Sequence, residues 1–181
     1  MANYSEYRDN IKSGDLLMWE RRSISSLTDI FLMLVQKILN TKYSHVGIAI
    51  FTGNRLMVLE ADVPKVMLTP LSTATDFYHL PLGIDWKPEH KAFLFKELGK
   101  KYSLIDALSY LFKIKRNNKT WYCSQLAAYF YDAVGYMTSD EEGFTPKELT
   151  DKLIEISGKT PVFVNIDTAN IMAETDELQY P

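Results

Sequence analysis

Cysteine is nearly absent from this chain: its 181 residues contain one, Cys123. A lone thiol can neither close an internal disulfide nor supply a C-x-x-C metal pair, which removes a stapled secreted scaffold and a structural zinc site. Histidine is scarce as well, three in all. Without clustered ligands, neither a metal nor another cofactor is expected. No single sign of charge dominates, because 20 Lys and Arg are interspersed with 23 Asp and Glu for a net charge of −3. No basic stripe marks a nucleic-acid binder. Long apolar runs are missing too: IFLMLV, Ile30 to Val35, is far short of the roughly 18 residues of a spanning helix. No integral membrane segment is expected. The opening MANYSEYRDN is polar and charged where a signal peptide is basic and then apolar, so the chain as encoded is expected to be cytoplasmic.

What is present suffices for one folded unit. A hydrophobic content of 46% over 181 residues supports a single domain with its own core, and no repeat, linker or low-complexity tract divides it. The tail from about residue 167 is acidic and has little apolar period. SGDLLMWE reads as a turn at Ser13 to Asp15 followed by a short strand through Trp19. Leu27 to Leu39 has helical spacing, with Ser26 and Asp29 as an acidic capping box and Asn40 at its end. YSHVGIAIFTGNRLMVLEAD reads as two strands around a Gly53-Asn54 turn. Val66 to Leu68 and Phe77 to Leu82 are further strands, the second kept short or at an edge by Pro81. Helices follow from Pro88 to about Leu98, ended by Gly99, and near Leu104 to Phe112. Another runs from Pro146 to about Ile156 with Thr145 and Glu148 as its capping box, and PVFVNI is a late strand.

The single cysteine lies where an extended approach turns helical. A free cysteine ordinarily packs as a small hydrophobe. Here Lys119 to Tyr122 read as extended, after which Leu126, Ala127, Phe130, Ala133 and Val134 recur at helical spacing up to a C-cap at Gly135. Cys123 therefore falls in a first turn, where unpaired N–H groups and the helix dipole favour a thiolate. A nucleophile there needs a base.

Of the three histidines, His90 sits among charges at a helix start, and His79 has no acidic neighbour at a suggestive spacing. His45 shares one strand face with Gly47, Ala49 and Phe51, and the two small residues leave room into which the Cys123 helix could pack through Ala127. A two-residue turn pairs Thr52 with Arg55, which sets Gly47 opposite Glu60 and His45 opposite Asp62. Glu60 is then diagonal to His45 at roughly 7 Å, within reach of a long side chain across a residue that has none. Its carboxylate could hold the imidazole in the tautomer that deprotonates a thiol. Asp62 is expected to be a spectator, since Val63-Pro64 ends the pairing there.

The order G-D-L-L, S-H-V-G-I, L-E-A, Y-C-S-Q-L and F-T-P-K-E-L, spread from about Gly14 to Leu149, resembles the circularly permuted branch of the NlpC-type papain-fold cysteine hydrolases. The resemblance implies an α+β, papain-like, circularly permuted fold with an antiparallel sheet packed against the nucleophile helix. It implies Cys123 as nucleophile, His45 as general base and Glu60 as the polar third member. Gln125 stands where that family often has Glu. The activity implied is cleavage of an amide or ester through a covalent acyl-enzyme, with a peptidoglycan-type peptide bond first among substrates and a lipid acyl bond, hydrolysed or transferred, as the alternative. Small peptide or acyl substrates are the expected partners, and Tyr43 and Tyr122 are candidate substrate contacts. Such a substrate implies a separate route to the wall, such as cell lysis or a virion, or else action on intracellular muropeptides. An inactive binding module using Tyr43, Trp121 and Tyr122 for recognition is the alternative from another class.

Overall fold

The computed structural model describes residues 2–20, 42–103, 121–138 and 143–166. The helical readings over 27–39 and 104–112, and the acidic tail, lie outside the described residues. In chain order the elements are β1 (Ala2–Asn3), α1 (Tyr4–Tyr7), β2 (Leu16–Trp19), β3 (His45–Thr52), β4 (Arg55–Asp62), β5 (Lys65–Pro70), β6 (Phe77–Leu80), α2 (Pro88–Phe95), α3 (Cys123–Ala133), α4 (Pro146–Ser157) and β7 (Val162–Asn165). Short 3-10 turns cover Arg8–Asn10 and Leu71–Thr73.

Local chemistry accounts for most boundaries. The β3–β4 hairpin closes on Gly53 and Asn54, with Thr52 facing Arg55 and Gly53 at φ +60°. α4 starts where Thr145 and Glu148 exchange capping hydrogen bonds around Pro146, and it stops at a left-handed Gly158. β6 ends at Leu80, before Pro81, as a ring without an N–H requires. It is short but interior, lying between β2 and β7 and not at an edge.

The domain is α+β, and among the described residues a mixed seven-stranded sheet with order β1-β7-β6-β2-β3-β4-β5 stands with four helices. The sheet is not wholly antiparallel as expected. The two residues of β1 run parallel to β7, and because β1 and β7 come from distant parts of the chain, no hairpin connects them to impose opposite directions.

Alternation along the strands gives the sheet two apolar faces. Leu16, Met18, Val46, Ile48, Ile50, Leu59 and Ala61 pack with Leu126, Ala127 and Phe130 of α3 and with Leu149 and Leu153 of α4. Leu17, Trp19, Ala49, Leu56, Val58 and Phe77 pack on the other side with Tyr4 and Ile11 from the N-terminal segment. Each such large side chain contributes about 1.5–3 kcal/mol on burial.

This arrangement corrects the expected seat of α3. Ala127 lies on the Val46–Ile48–Ile50 face, where branched side chains offer α3 more apolar surface than Gly47 and Ala49 do. The space over Gly47 is taken by β4 instead, since a Cβ built there would overlap Val58 Cγ2 and stand 3.4 Å from Glu60 Cβ. Gly47→Ala is therefore expected to lower stability in urea unfolding by about 1–3 kcal/mol, the usual range for overpacking.

Candidate active site

Tyr122 is extended (φ −120°, ψ 163°) and α3 begins at the next residue, so the lone thiol occupies the first helical position. The helix leans on the start of β3, and Cys123 clusters with Val46 in the core. Burial pushes the Cys123 thiol up. The hydrogen bond and charge of His45, with the backbone N–H groups of Val46 and Ser124, outweigh that burial and leave the thiol below its ordinary range. Ser124 is itself anchored, its hydroxyl donating to the Phe144 carbonyl at 2.5 Å. That bond fixes the turn presenting the sulfur.

His45 is the first residue of β3 and is held from two sides. Its Nε2 lies 2.6 Å from Glu60 Oε2, and the pair is almost fully buried. With Nε2 turned to the carboxylate, Nδ1 is the nitrogen left for the thiol. Trp19, directly across in the β2–β3 ladder, lays its indole 5.6 Å from the imidazole at 48°, and its own N–H donates to the Thr75 carbonyl. The indole thus covers the imidazole from the β2 side.

Of the two acids offered by β4, Glu60 is the one bonded to the ring. Asp62 is only half-buried and faces Lys65 in the β4–β5 register. Glu60 has a further partner that the sequence did not suggest: its Oε1 accepts from the Thr69 hydroxyl of β5 at 3.1 Å. Thr69, Trp19 and the Val46 N–H have no motif of their own. Thr69 and Trp19 become visible only once strand register is known.

Tyr43 and Tyr122 are both buried, not displayed on an open surface. Tyr43 meets Tyr78 edge-on at 5.4 Å, with the Lys42 ammonium 4.1 Å from the Tyr78 ring centre and 3.5 Å from Glu20. Trp121 stacks against Tyr129 at 4.9 Å and donates to Glu97 at 2.7 Å. Gln125 has a buried side-chain oxygen without a hydrogen-bond partner among the described residues.

The other histidines also have partners. His79 is fully buried, its Nε2 2.8 Å from Asp15 Oδ2 and its Nδ1 3.1 Å from the Tyr7 hydroxyl. Asp15 is 64 positions away in sequence, which is why spacing gave no hint of it. The same carboxylate accepts from the N–H groups of Lys12 and Leu82, so it ties the N-terminal turn to the strand end after β6. His90 rests edge-on against Trp86 at 5.7 Å and is not simply solvated.

No family model matches the chain. No curated protein matches it either. Among solved structures, metalloprotein yiiX from Escherichia coli O157:H7, of the DUF1105 group, is similar at 20% identity over 84% of this chain and 88% of that one, with a TM-score of 0.53. At that identity the likeness is one of fold. Among the described residues no helix is long and apolar enough to cross a membrane.

Proposed function

We propose that this protein is a cysteine hydrolase of circularly permuted, papain-like architecture, related to the NlpC-type enzymes and cleaving an amide or ester through a covalent acyl-enzyme. The observation that supports the reading is that His45 lowers the Cys123 thiol while its own Nε2 is held by Glu60. In the proposed cycle Nδ1 of His45 takes the thiol proton, and the sulfur attacks the carbonyl carbon. The Cys123 backbone N–H, at the positive end of α3, supports the oxyanion that forms. The imidazolium then protonates the leaving amine or alcohol, and water, activated by the same imidazole, releases the acyl group and restores the thiol.

The likeness to a protein named as a metalloprotein raises a metal centre as another reading. Among the described residues, no three or more His, Cys, Asp and Glu converge in a way that could hold an ion. Glu60 and His45 turn toward each other at 2.6 Å instead of toward a common open point. The described residues do not fit such a centre.

A peptidoglycan-type peptide bond is the substrate favoured by the motif resemblance, with a lipid acyl bond second. Incubation with stem and cross-linked muropeptides and with acyl lipids, read by mass spectrometry, separates them. The expected result is cleavage of muropeptides that is lost in Cys123→Ser; release of acyl chains alone would move the reading to lipids, and release of neither would remove both substrate assignments. With the substrate so found, Glu60→Gln is expected to lower turnover on the order of 10²-fold or more, as loss of an orienting partner does. Asp62→Asn should stay within about twofold.

A further inference from the structure

We propose that Thr69 is a positioning residue for the Cys123–His45 pair, acting through Glu60; the inference rests on the reading that this pair does chemistry. Glu60 has two carboxylate oxygens and two jobs to keep apart. Oε2 takes the His45 Nε2 at 2.6 Å, and Oε1 takes the Thr69 hydroxyl at 3.1 Å. Thr69 pairs with Val58 across β4 and β5 while Glu60 pairs with Met67, so Thr69 is diagonal to Glu60 on the same sheet face. A threonine in a strand is stiff at its first torsion. Its hydroxyl is therefore a fixed donor, whereas Glu60 has three torsions of its own and could swing if only one oxygen were held.

The second bond also affects charge. Glu60 is 3% exposed, and a buried carboxylate is kept ionised by the donors it accepts. A valine here would put a methyl group where the Thr69 hydroxyl donates to Oε1. The carboxylate would then be held less firmly toward His45 and its ionised form less favoured, and either change weakens the counter-charge that favours imidazolium over neutral imidazole. The thiolate loses its partner in turn. Thr69 thus reaches the sulfur through two intermediaries without touching it.

The test is the ultraviolet titration of the Cys123 thiolate in the wild type, Thr69→Val, Thr69→Ser, Glu60→Gln and the Glu60→Gln/Thr69→Val double variant. Thr69→Val should move the midpoint upward by about half to one pH unit, leaving roughly three- to tenfold less thiolate below both midpoints. Thr69→Ser should keep the wild-type midpoint, and Thr69→Val should add nothing in the Glu60→Gln background, because the effect travels through that carboxylate. Thr69→Ala serves in the same comparison if the valine variant does not fold. An unchanged midpoint in the folded variant, or a shift that persists undiminished in the double variant relative to Glu60→Gln alone, would overturn the proposal. Since the readout is ionisation and not turnover, failure of the substrate panel with this coupling intact would remove those substrate assignments and leave the positioning role standing.

Discussion

Cys123→Ser is expected to fold with a near-wild-type unfolding midpoint and to lose turnover on the order of 10⁴- to 10⁶-fold, the scale seen when the nucleophile of a concerted site is removed. Two physical facts separate these outcomes. The side chain is buried beside Val46 and Ser124, and oxygen for sulfur is a small volume change that still accepts the same backbone N–H groups. The hydroxyl, however, ionises far less readily than a thiol, so the imidazole and N–H groups that favour a thiolate do not make it a comparable nucleophile. Thermal unfolding and steady-state turnover on the identified substrate check the two halves. A variant that stays folded and active would show that the sulfur is packing and not chemistry.

His45→Ala should have the second large effect, and its direction follows from what opposes what. Burial drives the thiol up; the imidazole bond and charge are the strongest influences bringing it back down, ahead of the Val46 and Ser124 N–H groups. With the imidazole gone, burial faces only the two backbone donors, and the thiol should rise to or above the ordinary cysteine value of about 8.5. Alkylation by a small neutral haloacetamide at pH 7 is then expected to fall by about tenfold or more, with rates recovering only as pH rises through the new, higher midpoint. In the wild type the same rate should level off at lower pH. Equal pH profiles in the two proteins would mean that His45 does not activate the sulfur. Because thiol and imidazole titrate together, the wild-type midpoint belongs to the pair and not to either residue.

The parts of this site that were legible in the sequence are those fixed by short-range rules. The Gly53-Asn54 turn set the β3–β4 register, and that register brought Glu60 to the His45 face across a residue without a side chain. The switch from extended to helical period at Tyr122 located the helix start. What escaped depends on packing between distant segments. The choice of sheet face by α3 was decided by Val46, Ile48 and Ile50 against Gly47 and Ala49, a competition that hydrophobic period does not rank. Asp15 and His79 are brought together by β2–β6 pairing, and Thr69 reaches Glu60 because β5 pairs along β4; neither contact leaves a local signature. The parallel pairing of β1 with β7 joins residues more than 160 positions apart, beyond any turn-based rule.

The most direct measurement is the ultraviolet titration of the wild-type thiolate, with Cys123→Ser subtracted so that the tyrosines do not contribute. It needs no substrate and does not depend on reagent access to a side chain that is 8% exposed. Thiolate absorbance is expected to be present already near neutral pH, with a midpoint below the ordinary value of about 8.5. A thiolate that forms only at or above that value would contradict the claim that Cys123 is an activated nucleophile.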